Sequence, residues 1–258
     1  MIRIGGARRF FHRGTPDERA ALDGVTLELA DGSFAVVIGS NGAGKSTLLN
    51  VLAGSVGLDE GSIHIDDTEV TSWSQLRRAS LVARVLQDPM QGTLPELSIA
   101  ENLVLAEMRT KGRGLGPALT PARGQRHAAL LSGFGMGLES RMGARVGLLS
   151  GGQRQALALA MAVMNAPRML LLDEHAASLD PRTAEVVMQA TLNAVASAGL
   201  TTLMVTHNMQ HAIRYGDRLI MLDAGRIRLD VSGEEKRALT VEALVERFRL
   251  ADDRMLLA

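Results

Sequence analysis

No cysteine occurs in this chain of 258 residues, so disulfides and cysteine-held metals are excluded and a reducing compartment is the natural expectation. Charge of one sign is lacking too. Its 28 basic and 28 acidic side chains cancel to +0, which gives a polyanion such as nucleic acid no general purchase. Long apolar runs are missing: Met169-Leu170-Leu171-Leu172 ends at once in Asp173, far short of the roughly 20 residues that cross a bilayer. The opening Met1 to Arg9 has no apolar core of signal-peptide length. The expectation is a chain soluble by itself, whose membrane role would come through a partner. Neither a repeat nor a low-complexity tract is found. With 46% hydrophobic and 22% charged residues, what remains is an ordinary folded protein, one domain with room for an insertion.

Chemistry first shows between Phe34 and Ala53. Phe34-Ala35-Val36-Val37-Ile38 is a short apolar run suited to a buried strand. It breaks at Gly39, and Ser40-Asn41-Gly42-Ala43-Gly44 leads into Lys45-Ser46-Thr47 and a helical pattern closed by Gly54. This is Gly-x-x-x-x-Gly-Lys-Ser between strand and helix, the setting a phosphate-cradling loop requires. Its glycines let successive N–H groups, with those of the helix start, turn toward one anion. Lys45 reaches the outer phosphates and the Ser46 hydroxyl ligates Mg²⁺. The loop predicts a nucleoside triphosphate ligand.

Val25, Leu27 and Leu29 alternate with polar neighbours, as do Ile63 and Ile65, which predicts an antiparallel sheet beside a parallel core. In a chain with 3% aromatic residues, Phe10-Phe11 stand out. Phe11 is the candidate to stack on adenine, Phe10 the second choice, and burial of both in the core the alternative. Leu81 to Leu86 reads as another buried strand, delivering Gln87 to the carboxyl edge where open α/β sheets bind ligands. From 90 to 165 the texture turns helical, beginning at a Ser98/Glu101 capping box and resuming near Pro121. This stretch is read as a helical subdomain inserted into the α/β core. Within it, Arg109 to Pro117 is basic and glycine-rich, a solvated loop or, alternatively, a contact for lipid headgroups.

Leu149-Ser150-Gly151-Gly152-Gln153 opens a long helix. Ser150 and Gln153 make a capping box, but two glycines in the first turn each cost about 1 kcal/mol of helix stability against alanine. Bare N–H groups that admit a phosphate explain them. The chain thus carries two phosphate-suited helix starts and one phosphate lysine. Met169 to Leu172 delivers Asp173, to hold Mg²⁺ through water, and Glu174, to polarise the attacking water as general base. Asp180-Pro181 starts a helix running to Gly199. The strand Thr201 to Thr206 leaves His207 past its end, either a γ-phosphate contact or an ordinary exposed histidine. A hairpin from Leu219 to Leu229 and an amphipathic helix after Thr240 follow.

Together these motifs resemble the ATP-binding cassette (ABC) family over essentially the whole chain, and within it the separate ATPase subunits of bacterial importers. The Walker A loop is Gly39, Ser40, Asn41, Gly42, Ala43, Gly44, Lys45, Ser46 and Thr47, and the Q-loop glutamine is Gln87. The signature is Leu149 to Gln153, Walker B ends at Asp173, and Glu174 matches the catalytic glutamate. Ser178-Leu179-Asp180 matches the D-loop and His207 the switch histidine. The resemblance implies an α/β fold: a P-loop NTPase (RecA-like) core with an antiparallel β-subdomain and an inserted helical subdomain, one nucleotide-binding domain over 1–258. It implies ATP and Mg²⁺ as cofactors, the metal held by Ser46, Gln87 and Asp173, and catalysis by Glu174, His207 and Lys45. It also implies a head-to-tail dimer, in which ATP on Lys45 of one copy is completed by Ser150, Gly151, Gly152 and Gln153 of the other, with Asp180 also counted in the nucleotide site.

The further partners it implies are membrane permease subunits, docked near Gln87 and the segment 88–99, and a substrate-binding protein. That places the chain peripherally on the cytoplasmic face of the inner membrane, without nucleic acid. His175 and Ser40 stand where relatives often have proline, and Ser178 where alanine is common; none of these removes a ligand. The runs Gly14-Thr15-Pro16, Gln87-Asp88-Pro89-Met90 and Asp173-Glu174-His175 are similar to those of ATPases in tryptophan- or tyrosine-type amino-acid uptake. The readings set against this one are a non-transport ABC ATPase of translation or DNA repair, and a soluble P-loop kinase that has no use for the signature.

Overall fold

A computed structural model describes residues 1–109 and 116–247. Most of the basic glycine-rich stretch expected as a loop lies outside the described residues, as does everything after 247; the helix expected after Thr240 is described over 241–247. The chain divides into two compact units, Met1–Arg78 with Thr201–Ala258, and Ala79–Leu200.

In the first unit, β1 (Ile2–Phe11), β2 (Arg19–Leu29), β4 (Glu60–Ile65) and β5 (Thr68–Glu69) form an antiparallel sheet in the order β2-β1-β4-β5. The alternation read from sequence is the reason. Ile2, Ile4, Val25, Leu27, Leu29, Ile63 and Ile65 all face inward and are buried, while the residues between them take the other side of the pleat. β3 (Phe34–Gly39) is apolar on both faces and lies between β8 (Thr201–Val205) and β9 (Arg218–Asp223), parallel to both. β9 turns back antiparallel into β10 (Arg226–Ser232), the hairpin expected near the end of the chain. Helices of this unit include α1 (Lys45–Ala53), α2 (Gln75–Arg78), α7 (Met209–Arg214) and α8 (Gly233–Arg237), besides the stretch 241–247.

Sequence reading passed over Arg78, which is 1% exposed. Its guanidinium donates to the carbonyls of Val51 and Leu52 at the last turn of α1, and to Val70 (2.6 Å) and Thr71 (2.8 Å). A cation at a helix C-terminus complements the dipole and satisfies carbonyls left over by the helix. Burial pulls its pKa below the usual arginine value. Lys236 repeats the device at the end of α7, with Nζ on the carbonyls of Ile213, Tyr215 and Gly216 at 2.8–2.9 Å.

In the second unit, β6 (Val82–Val85) pairs in parallel with β7 (Met169–Asp173); β6 is shorter than the 81–86 expected, because Leu81 and Leu86 lie outside the ladder. Four helices follow their predicted starts: α3 (Ile99–Glu107), α4 (Pro121–Ser132), α5 (Gly151–Val163) and α6 (Pro181–Ala198). Ser98, Thr120, Ser150 and Asp180 cap them, the first and third as full capping boxes. The α3–α4 pair is held by buried Glu107, whose carboxylate meets Arg123 Nε (2.9 Å), Arg126 Nη2 (3.5 Å) and buried His127 Nε2 (3.1 Å).

Candidate functional site

In the first unit the phosphate loop leaves β3 at Gly39 and enters α1 at Lys45. Its carbonyls are turned to donors. Lys45 Nζ bonds to Gly39 O (2.8 Å) and Ser40 O (2.9 Å). Arg19 of β2 donates to Gly42 O. The Gly225 amide, in the β9–β10 turn, donates to Ala43 O at 3.0 Å, and Leu48 N to Gly44 O at 2.8 Å. Gly44 has φ 106° and lies so close to the Ala21 carbonyl that a Cβ would overlap it, which only glycine allows. Unlike α3, α5 and α6, α1 starts without a side-chain cap, so its first N–H groups are suited to a ligand rather than to the protein. Asn41 and Ser46 are exposed at this surface, Ser40 and Thr47 half-buried, and Ala43 buried.

His207 follows β8, exposed. The parallel register pairs Val37 with Val205, so His207 and Gly39, each two residues further on, leave the sheet at the same edge. Phe11 pairs with Arg19 across β1 and β2. Neither Phe10 nor Phe11 is buried, which overturns the alternative that both are core. Arg9 lies over the Phe11 ring and Arg13 over Phe10, each 5.2 Å from the centroid.

In the second unit the same logic places Gln87 level with Glu174, since Val85 pairs with Leu172. Gln87 is exposed and Asp173 and Glu174 are half-buried. Glu174 has φ 47°, a left-handed conformation costing a non-glycine residue roughly 1–2 kcal/mol. The next residue, His175, is 1% exposed, and its Nε2 lies 3.0 Å from Thr191 Oγ1 on α6. Thr191 spends its one hydroxyl proton on Val187 O at 2.8 Å, so its oxygen accepts and His175 Nε2 carries the donated hydrogen. Thus α6 anchors the residue after the candidate base. Asp173 Oδ2 meets Arg84 Nη2 at 2.6 Å, a partner that sequence reading did not supply although an arginine inside an apolar strand was the signal for one.

The signature helix starts as expected, with Ser150 and Gln153 bonding reciprocally. Its two glycines differ. Gly151 is exposed, whereas Gly152 is buried and a Cβ there would overlap the Thr183 methyl of α6. Packing therefore requires glycine at 152, beyond the anion argument. Asp180 caps α6 through the Thr183 amide at 3.1 Å, and the bonds it accepts from Thr183 hold its carboxyl below the usual carboxylate range. Gln155 Nε2 reaches Leu86 O at 3.3 Å, joining the signature helix to the residue before Gln87.

A family model described as "ABC transporter" matches residues 22–177. Over 256 residues the chain is 41% identical to the "Tyrosine transport ATP-binding protein" of Clostridioides difficile (strain R20291), covering 97% of this chain and 100% of that protein. It is 36% identical over 231 residues to the "Lipoprotein-releasing system ATP-binding protein LolD" of Roseobacter denitrificans, covering 88% and 97%. Among solved structures it is similar to the dimeric post-hydrolysis ATP-binding cassette MJ0796 bound to ADP and Pi. The TM-score there is 0.76 at 27% identity, over 90% of this chain and 98% of that one.

Proposed function

This chain belongs to the ABC transporter family and is one of its ATPases, with the P-loop NTPase fold of the cassettes; from that premise we propose that it powers import of an amino acid or similar small solute through separate membrane subunits. The observation that carries the reading is the full-length 41% identity to a protein named for tyrosine transport. The relative named for lipoprotein release is less similar and covers less of the chain. No described helix is long and apolar enough to cross a membrane, in keeping with partners that supply the path. Those partners are permease subunits on the inner membrane, a substrate-binding protein, and a second copy of this chain, with no nucleic acid. The domain is single over 1–258, with 90–165 as its helical subdomain. A soluble kinase would have no use for the signature glycines.

In this mechanism Lys45 turns from the loop carbonyls to the outer phosphates of ATP, and the α1 N-terminus cradles them. Phe11 stacks on adenine. Among the described residues no three His, Cys, Asp or Glu side chains cluster to cage a metal. Oxygen donors on Ser46, Gln87 and Asp173 fit Mg²⁺, which takes few protein ligands and completes its shell with water and phosphate. When bound, the ion offsets charge on the phosphates. Glu174 accepts the proton of the attacking water and His207 hydrogen-bonds the γ-phosphate. Ser150, Gly151, Gly152 and Gln153 of the second copy close over the phosphates, with Asp180 beside them.

Glu174→Gln should lower ATP turnover by at least ~10²-fold while retaining ATP binding. Unchanged hydrolysis would remove Glu174 as the base. Loss of the gene should lower uptake of labelled aromatic amino acids; unaltered uptake, with lipoproteins retained in the inner membrane, would reverse the assigned direction.

A further inference from the structure

We propose that Arg84 is a positioning residue for the metal site: it holds Asp173 by one carboxylate oxygen, offsets its charge, and so weakens divalent-metal binding there. This rests on the reading of Asp173 as a Mg²⁺ ligand.

Arg84 sits on β6 among Val82, Ala83 and Val85, all buried. A guanidinium there forgoes much of its hydration and requires a partner. Asp173 is such a partner, at 2.6 Å between Nη2 and Oδ2, with the two side chains 21% and 18% exposed. Parallel pairing of β6 with β7 sets Arg84 opposite Leu171, two residues before Asp173. Both ends of the contact are therefore fixed by sheet register, not by a mobile loop. Charge-assisted bonds of this length are strong. Oδ2 is engaged by Arg84, so Asp173 would turn its other oxygen to a metal-bound water.

The sign of the effect follows from charge. A carboxylate that bears an arginine presents less net negative charge to a dication, and the guanidinium itself repels a cation nearby. Replacing Arg84 by an uncharged residue should therefore strengthen metal binding, whereas loss of a residue that only supported folding would weaken it or leave it unchanged.

The experiment measures ADP affinity with and without Mn²⁺, by calorimetry, on the purified chain. The ratio of the two dissociation constants reports metal binding without any turnover. Arg84→Met should raise that ratio on the order of tenfold while leaving metal-free ADP affinity in place, and Arg84→Lys should stay near the wild-type ratio. If Arg84→Met does not fold, judged by thermal unfolding, Arg84→Gln carries the same expectation, since it drops the charge and keeps a hydrogen-bond donor. A ratio equal to or below wild type in the folded, uncharged variant overturns the proposal. Asp173→Ala should abolish the Mn²⁺ enhancement. If it does not, the reading of Asp173 as a ligand fails, and the role of Arg84 at the metal fails with it.

Discussion

At the scale of single residues, buried cations and the left-handed backbone of Glu174 stand out. Arg78 is charged and enclosed, yet among the described residues its guanidinium meets only backbone carbonyls. Its bonds close the C-terminal end of α1, the helix whose other end we assign to phosphate. Arg78→Met should cost about 3–5 kcal/mol, because carbonyls of Val51, Leu52, Val70 and Thr71 would be left inside without donors. Urea unfolding of the nucleotide-free protein measures this, and a loss below about 1 kcal/mol would mean water replaces the guanidinium. Nothing near Arg78 in sequence marks it: a basic residue in a short polar segment ordinarily reads as solvated, and only the return of the chain past α1 makes it internal. Glu174 was legible as an acid after a strand, but its positive φ was not. Its identity follows from chemistry, whereas its conformation belongs to a turn whose next residue, His175, meets Thr191 of α6.

Among elements, the contact of α3 with α4 encloses a buried histidine that titrates. His127 is buried against Glu107, with Arg123 and Arg126 at the same carboxylate. Burial lowers its pKa below 6.5, opposed by Glu107 and assisted by the two arginines. The folded state thus binds this proton less readily than the unfolded chain does. Stability is full above pH 6.5 and is lost as pH falls through that value, until the folded imidazole protonates as well. The urea midpoint should therefore fall between about pH 7 and pH 5, and His127→Gln should flatten that dependence. An identical slope in the variant would place the titration elsewhere. The helix starts of this unit were readable because capping is a matter of three or four adjacent residues: Ser98 with Glu101, Ser150 with Gln153, Asp180 with Pro181. Pairing of Glu107 with His127 was not readable, as it depends on how two helices come together around residues 20 positions apart.

For the whole molecule, the sandwich reading makes a demand on two copies. Lys45→Ala lacks its phosphate lysine and Ser150→Arg blocks its signature, so each should be inactive alone. Mixed in equal amounts, they should form heterodimers with one intact composite site and recover roughly a quarter of wild-type turnover. A mixture as inactive as its components would mean that each copy completes its own site. The chemistry of this protein was determined by sequence alone, because phosphate binding, capping and acid placement are carried by contiguous residues: Gly39 to Thr47, Leu149 to Gln153, Asp173-Glu174. Tertiary structure alone decided which groups meet across long separations. Arg84 and Asp173 are 89 positions apart, Gly152 is packed by Thr183, and the Gly42 carbonyl is held by Arg19 of a different strand. Strand register and helix packing choose such partners, and no spacing along the chain encodes them.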